Sequence, residues 1–126
     1  MKELKAKKIA SVFSIFIGIA MIGMWIMFYA TGNIPELATE PMRISMHILA
    51  EVITAIMLII AGVGIFAGIK WAREVYFLSM GMLIYTLIQS PGYFMETEDY
   101  GFVIMFGIML ALAILMIIKM VPLKKV

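Results

Sequence analysis

Ionisable residues interrupt a long apolar run at residues 42–54, and this segment carries most of the chemistry in the chain. Arg43, His47 and Glu51 stand four residues apart. On a helix a step of four residues turns the side chain by only about 40°, so the three follow one stripe, to which Thr54 returns. An ionisable side chain at membrane depth is by default a candidate for function. We therefore predict a substrate- or proton-binding site at His47 and Glu51.

The protonation states of His47 and Glu51 are expected to depend on each other. Removal from water disfavours the charged carboxylate, whereas a nearby imidazolium favours it. Either the two groups share a proton as a coupled pair, or Glu51 is protonated and donates to a neighbour. Both states respond to pH, so the pair can bind a cation or carry a proton from the outer face. A structural pair that fixes helix register is the alternative, and the sequence leaves both open.

A second pair of polar residues is expected at a similar depth. Tyr85 and Gln89 are four residues apart at the end of the third apolar run, just before Pro91. We include them in the predicted site, which comprises Arg43, His47, Glu51, Thr54, Tyr85 and Gln89. The alternatives are an Arg43 side chain that reaches outer headgroups, a tyrosine at the membrane interface and a glutamine at a helix end. Trp25 is interpreted as an interfacial residue.

Composition predicts a membrane protein. Of 126 residues, 64% are hydrophobic and 14% are charged, whereas soluble domains average about 25% charged. Four apolar runs cover about 9–30, 43–69, 72–90 and 101–118, and about 20 apolar residues suffice to cross a bilayer as a helix. We predict an all-α fold in one domain, 1–126: an integral membrane four-helix bundle with four transmembrane helices and antiparallel neighbours. Pairs of small residues four apart predict close helix contacts: Ser14 and Gly18, Ala50 and Thr54, Gly64 and Gly68, and Gly107 and Ala111.

The distribution of basic residues predicts the orientation. In a four-span arrangement only Arg43 lies on one side; the other basic residues lie on the opposite side, namely Lys2, Lys5, Lys7, Lys8, Lys70, Arg73, Lys119, Lys124 and Lys125. This asymmetry places both termini in the cytoplasm of a multi-pass cell-membrane protein. Cleavage of the first run as a signal peptide is the competing interpretation, although that run is longer than such peptides carry.

Metal, cofactor and nucleic-acid functions receive little support. The chain has no cysteine and 14 methionines, so a copper(I) site of Met42, Met46, Met95 and His47 is an alternative to methionine used as apolar bulk. A hydrolytic zinc site would need a third ligand beside His47 and Glu51. No cofactor is predicted, and the net charge of +2 gives no signal for nucleic acid. We find no catalytic constellation and predict that the protein is not an enzyme.

The hexapeptide at residues 48–53, Ile-Leu-Ala-Glu-Val-Ile, resembles the first helix of small multidrug resistance transporters. In that family a membrane-embedded glutamate binds protons and cationic drugs in competition. The match covers six residues and lies in the second apolar run, and the family's later motifs are not evident. The resemblance implies only that one carboxylate in a small four-helix protein suffices for proton-coupled exchange.

From these observations we expect a small membrane protein that binds or moves a small cation or cationic molecule. Proton linkage would come from the His47 and Glu51 site, open to the outer face. At this size, transport would call for a homodimer. The alternative is a non-catalytic subunit or assembly partner of a larger membrane complex, with the polar stripe facing another chain.

Overall fold

The structure, a computed structural model, describes residues 2–123. It contains helices α1 (Lys2–Ala30), α2 (Glu36–Thr39), α3 (Pro41–Ala67), α4 (Ala72–Gln89), α5 (Pro91–Glu96) and α6 (Tyr100–Met120). No strand occurs within this range. The prediction of an all-α chain is therefore confirmed.

The positions at which the long helices begin and end have identifiable physical causes. α1 starts at Lys2, well before the predicted start at Ile9, because the intervening Lys, Ala, Glu and Leu residues favour helix. α3 starts with Pro41 in its first turn, where a missing amide hydrogen costs nothing. It ends before Gly68, whose φ of 69° is left-handed, and the Ile69 amide then donates to the Gly64 carbonyl at 2.9 Å. This is the helix-ending motif that glycine favours.

The two short helices lie between the predicted apolar runs. Pro91 follows the third run, and it begins α5 directly after Ser90. Proline lacks the amide hydrogen that would continue α4, but its fixed φ suits a first turn. The Phe94 ring of α5 stacks on Phe102 of α6, with ring centroids 4.6 Å apart. α5 therefore packs over the start of α6.

α1 and α3 pack closely and run antiparallel. The Ser11 hydroxyl donates to the Gly62 carbonyl at 3.0 Å, and the Ser14 hydroxyl donates to the Leu58 carbonyl, also at 3.0 Å. Both serines are fully buried. Side-chain bonds to the backbone of a neighbouring helix require small residues at the contact, which the predicted pair of Ser14 and Gly18 supplies.

One end of the molecule collects basic residues. Arg73, near the start of α4, donates to the backbone carbonyls of Leu123 and Val121 at 2.7 and 3.0 Å. Its guanidinium also lies 4.8 Å from the centre of the Phe77 ring. The end of α6 is thereby tied to the start of α4. The start of α1 and the α3–α4 turn lie at the same end, while Lys124 and Lys125 fall outside the described residues.

Within residues 2–123, three helices are long and apolar enough to cross a membrane, namely α1, α3 and α6. The predicted third span, α4, is not among them. It has 18 residues, begins with Ala72-Arg73-Glu74 and carries several hydroxyl side chains. Its mean hydropathy is correspondingly lower. The observed architecture is thus an all-helical chain with three candidate membrane-spanning helices.

Gly18 provides a test of the α1–α3 contact. A Cβ atom there would lie 2.6 Å from the Ala55 carbonyl oxygen, so the helices must separate to admit it. We expect Gly18→Ala to lower the free energy of unfolding by about 1–3 kcal/mol. Thermal unfolding in detergent, followed by circular dichroism, measures this. Gly23→Ala on the same helix meets no atom within 4 Å and should be neutral or stabilising; equal effects of the two variants would contradict the contact.

Candidate functional site

Glu51 lies on the buried face of α3. Only 7% of the residue is exposed. It shares that face with buried residues spaced alternately four and three apart, which follow one side of a helix: Ala55, Leu58, Gly62 and Ile65. A carboxyl group is therefore held at the interface where α3 meets α1 and α4.

Two other helices supply hydrogen-bond donors to this carboxyl group. From α1, the Trp25 indole Nε1–H donates to Glu51 Oε2. From α4, the Thr86 hydroxyl donates to Glu51 Oε1, and the Thr86 oxygen also lies 3.1 Å from the Ser90 hydroxyl. Donors to each carboxylate oxygen replace the water lost on burial, and bonds to a charged acceptor are stronger than neutral ones. The arrangement can therefore hold an ionised carboxylate away from bulk water.

His47 approaches the same carboxyl group from one turn earlier on α3. Its Nε2 atom lies 3.9 Å from Glu51 Oε2, a distance that suits an ion pair with a protonated imidazole but exceeds that of a hydrogen bond. About 31% of the His47 side chain is exposed. Its ring packs edge-on against Trp25, with ring centroids 5.9 Å apart. The two residues singled out by their spacing are thus neighbours in the structure.

A cavity of about 950 Å³ opens at the end of the molecule away from the basic residues. Trp25, His47, Glu51 and Ser90 are among its lining residues, and α6 contributes the apolar rings of Phe102 and Phe106. Its other ionisable lining residues are Glu36, Glu40, Arg43, Glu96 and Asp99. Carboxylates outnumber basic groups in this outer cavity, and a cleft lined by one sign of charge concentrates ions of the other sign.

A second, smaller cavity of about 180 Å³ lies between α3 and α4. It is lined by His47, Glu51, Thr54, Tyr85 and Gln89, which are all predicted site residues, together with Ala50, Met82 and Thr86. Tyr85 is 68% exposed, so this cavity opens sideways rather than toward the end of the molecule. His47, Glu51 and Gln89 line both cavities, and they form the partition between them.

The remaining predicted residues have more peripheral positions. The Arg43 side chain is 79% exposed and pairs with Glu40 at 3.1 Å, while it also lines the outer cavity. Thr54 is buried, and its hydroxyl donates to the Ala50 carbonyl of its own helix at 2.8 Å. The methionines of the copper alternative, Met42, Met46 and Met95, are all exposed and line neither cavity.

Sequence reasoning missed Trp25 and Thr86 as partners of Glu51, and Ser90 as a partner of Thr86. A signal was present for two of them. Trp25 follows Ser11 and Gly18 at steps of seven residues, and Thr86 follows Ser79 by seven. A step of seven returns close to the same side of a helix. Trp25 therefore lies on the side of α1 that carries the buried Ser11 and Gly18, and it points inward rather than toward headgroups.

Residues 4–125 match the profile of a family described as a domain of unknown function, DUF8058. The chain belongs to the DUF8058 family. No curated protein and no solved structure matches this DUF8058 protein. Within residues 2–123, the His, Asp and Glu side chains form no group of three that could hold a metal ion. The geometry around Glu51 is accordingly the basis for any statement about function.

The hydrogen bond from Thr86 provides a test of this geometry. Thr86→Val keeps the side-chain shape but leaves Glu51 Oε1 without its buried donor, which typically costs about 1–3 kcal/mol. We expect that loss in the free energy of unfolding, measured in detergent at neutral pH. Ser79→Ala is the control, because the buried Ser79 hydroxyl donates only to the Tyr76 carbonyl of its own helix. A Thr86→Val variant as stable as wild type would contradict the bond.

Proposed function

We propose that this protein is a four-span membrane protein that binds a small cation or cationic molecule at Glu51 and exchanges it for a proton. The observation that carries the proposal is the buried carboxyl group of Glu51 at the foot of the acidic outer cavity.

Membrane insertion is supported by the large apolar surface of the folded chain. Only Phe106, Ala113 and Met120 are buried in α6, so most of this strongly apolar helix would face water in a soluble protein. Contiguous exposed apolar surface of this kind marks contact with lipid or protein. At 29 residues, α1 exceeds the roughly 20 residues that a span requires, which leaves its lysine-rich first turns outside the hydrocarbon.

α4 would cross the membrane because its neighbours cover it. Tyr76, Met80 and Leu83 on its inner face are completely buried. Ser79 and Thr86 are also buried and hydrogen bonded, so these polar groups would not meet lipid. Modest hydropathy is compatible with a span when polar side chains face protein. The proposed bundle therefore has four spans, of which the third depends most on its partners.

Orientation follows from the charges at the two ends. Lys2, Lys5, Lys7 and Lys8 begin α1, and Lys70 and Arg73 flank the α3–α4 turn. Basic residues near membrane spans remain on the cytoplasmic side. The cavity end would then face outward and both termini would lie in the cytoplasm.

Cysteine labelling tests this orientation, because the chain has no cysteine of its own. We expect Ala38→Cys, in the exposed helix α2, to react with a membrane-impermeant maleimide in intact cells. Lys5→Cys should react only after the membrane is permeabilised. Labelling of both sites, or of Lys5→Cys alone, in intact cells would overturn the proposed orientation.

Cation binding is supported by charge and aromatic surface together. The ionised Glu51 would attract a cation across a site of low dielectric constant, where Coulomb energy is larger than in water. Trp25, Phe28 and Phe94 add ring faces and edges to the outer cavity. Organic cations bind aromatic faces with useful energy once they are desolvated. A volume of about 950 Å³ leaves room for more than a bare metal ion.

Proton linkage follows from the same carboxylate. A proton on Glu51 removes the charge that attracts the cation, so the two compete. Cation affinity should therefore fall as the pH is lowered and Glu51 becomes protonated. His47 adds to the effect with the same sign, because an imidazolium 3.9 Å from the carboxylate repels the incoming cation.

Tryptophan fluorescence provides the binding assay. The chain has two tryptophans, and Trp71→Phe would leave Trp25 as the reporter beside Glu51. In this background we expect Na⁺ or benzyltrimethylammonium to change the emission saturably, with weaker binding at lower pH. Glu51→Gln should reduce the affinity by at least about tenfold, since it removes the attracting charge.

The control for this assay is Glu74→Gln, which removes a carboxylate at the start of α4, far from the cavity. It should bind both probes as wild type does. Binding of a probe that is unchanged in Glu51→Gln would remove this residue from the mechanism. Absence of a saturable response to either cation would overturn the proposed cation site.

A second candidate function is that of a subunit in a larger membrane complex. The predicted small pair on α6 is open, since Gly107 is exposed and a Cβ atom added there would meet no atom of another element within 4 Å. A second copy of this chain could equally pack against this face and form a homodimer. Mass measurement after purification in mild detergent separates these cases: a stable homodimer favours exchange of a cation, and a stoichiometric unrelated membrane chain favours the subunit function.

A further inference from the structure

The two oxygens of the Glu51 carboxyl group have different partners. Oε2 accepts from Trp25 and lies 3.9 Å from His47. Oε1 accepts from Thr86, whose hydroxyl oxygen lies 3.1 Å from that of Ser90. An indole N–H can only donate, whereas a hydroxyl both donates and accepts. Within residues 2–123, Trp25 and Thr86 are the residues that hydrogen bond to this carboxyl group. Of these two, only Thr86 can therefore pass a proton on.

Counting hydrogens fixes the direction of the bonds when Glu51 is ionised. Thr86 has one hydroxyl hydrogen, and it points to Glu51 Oε1. The 3.1 Å contact between Thr86 and Ser90 must then be donated by Ser90. Ser90 lines the outer cavity, whereas Thr86 lines only the smaller one. The three groups thus form an ordered chain from the cavity to the carboxylate.

We infer that the proton reaches and leaves Glu51 through the hydroxyl groups of Ser90 and Thr86. Ser90 takes a proton from a hydronium ion in the outer cavity and passes its own hydrogen to Thr86. Thr86 in turn passes its hydrogen to Glu51 Oε1. One proton moves from the cavity to the carboxylate, each hydroxyl keeps one hydrogen, and all hydrogen bonds along the chain reverse.

Glu51 itself lines the outer cavity, but the Thr86 hydroxyl covers its Oε1 atom, and this favours the hydroxyl route at that atom over direct contact with water. Its side chain is only 9% exposed, and each carboxylate oxygen is covered by a donor. α3 contributes His47 to the Oε2 side, while α1 contributes Trp25 and α4 contributes Thr86. The charged and titratable groups farther out in the cavity are Glu36 of α2, Glu40 between α2 and α3, and Arg43 of α3, with Tyr93, Glu96 and Asp99 from the α5 region. None of these is hydrogen bonded to the carboxyl group among the described residues.

The relay rests on the proposed function, and it supplies the path by which the exchanged proton would reach Glu51. A cation held in the outer cavity would meet the Oε2 side, beside Trp25 and His47. The proton would use the Oε1 side, along the inner face of the end of α4. The two competitors would then approach one carboxyl group from different directions, so a bound cation would not block the path of the proton that displaces it.

Infrared spectroscopy after a rapid drop in pH tests the relay without any added cation. The C=O band of protonated Glu51 is identified by its absence in Glu51→Gln. We expect Ser90→Ala to slow the appearance of this band by about tenfold or more, the scale of a lost proton-transfer group, with the same final amplitude. Thr86→Val should slow it as strongly, because the hydroxyl group that delivers the proton to Oε1 is lost.

Ser79→Ala, a buried hydroxyl on the same helix, should protonate Glu51 at the wild-type rate. His47→Gln tests the competing route on the Oε2 side, and it should slow the band by clearly less than Ser90→Ala does. A wild-type rate in Ser90→Ala, or slowing confined to His47→Gln, would overturn the relay. Absence of a Glu51-dependent band at any pH would overturn it as well. Failure of cation binding in the fluorescence assay would leave this result intact, so the two proposals fail separately.

Discussion

A carboxyl group removed from water between three helices constrains the rest of this structure. Burial of a charge or a polar group is costly unless hydrogen bonds replace those lost to water. Here the replacements come from Trp25 on α1 and Thr86 on α4. Both donors must reach Glu51 at once, because a partly satisfied buried network is less stable than an apolar one. The rotation of α1 and of α4 about their axes is thereby fixed relative to α3.

The close approach of α1 to α3 provides the other half of this constraint. Gly18 lies against the α3 backbone at Ala55, one turn of helix from Glu51. Without a side chain at that position the two backbones come near enough for the large Trp25 ring to reach the carboxyl group. Ser11 and Ser14 then continue the same contact toward the other end. Small residues and a large aromatic ring therefore cooperate along one face of α1.

Sequence reasoning identified the helices and the central residue, and it failed where the answer depended on how helices are rotated. Apolar runs locate α1, α3 and α6, and an ionisable pair inside such a run identifies His47 and Glu51 as neighbours on α3. However, the prediction placed Arg43 and Glu51 on the same side of α3, and this was wrong. Two steps of four residues turn a side chain by about 80°, and Arg43 accordingly lies exposed beside Glu40 while Glu51 is buried.

The partners and the outer cavity could not be predicted in the same way. Tryptophan at the end of a span is usually interfacial, and only the contact with α3 shows that Trp25 points inward. Pro91 begins α5 and places Ser90 at the junction of two helices. The cavity depends on α2 and α5, which are too short to leave a periodic pattern in the sequence. Such features need the packed structure.

The arginine contact at the basic end has a consequence for access. Arg73 binds the last described carbonyls after α6, and Leu58, Tyr76 and Met80 fill the interior above it without exposed surface. In this conformation packed side chains fill the interior between the outer cavity and Arg73. In the proposed exchange, a cation would therefore enter and leave through the outer cavity. Passage through the protein would thus require a second conformation, in which that guanidinium gives up the two carbonyls.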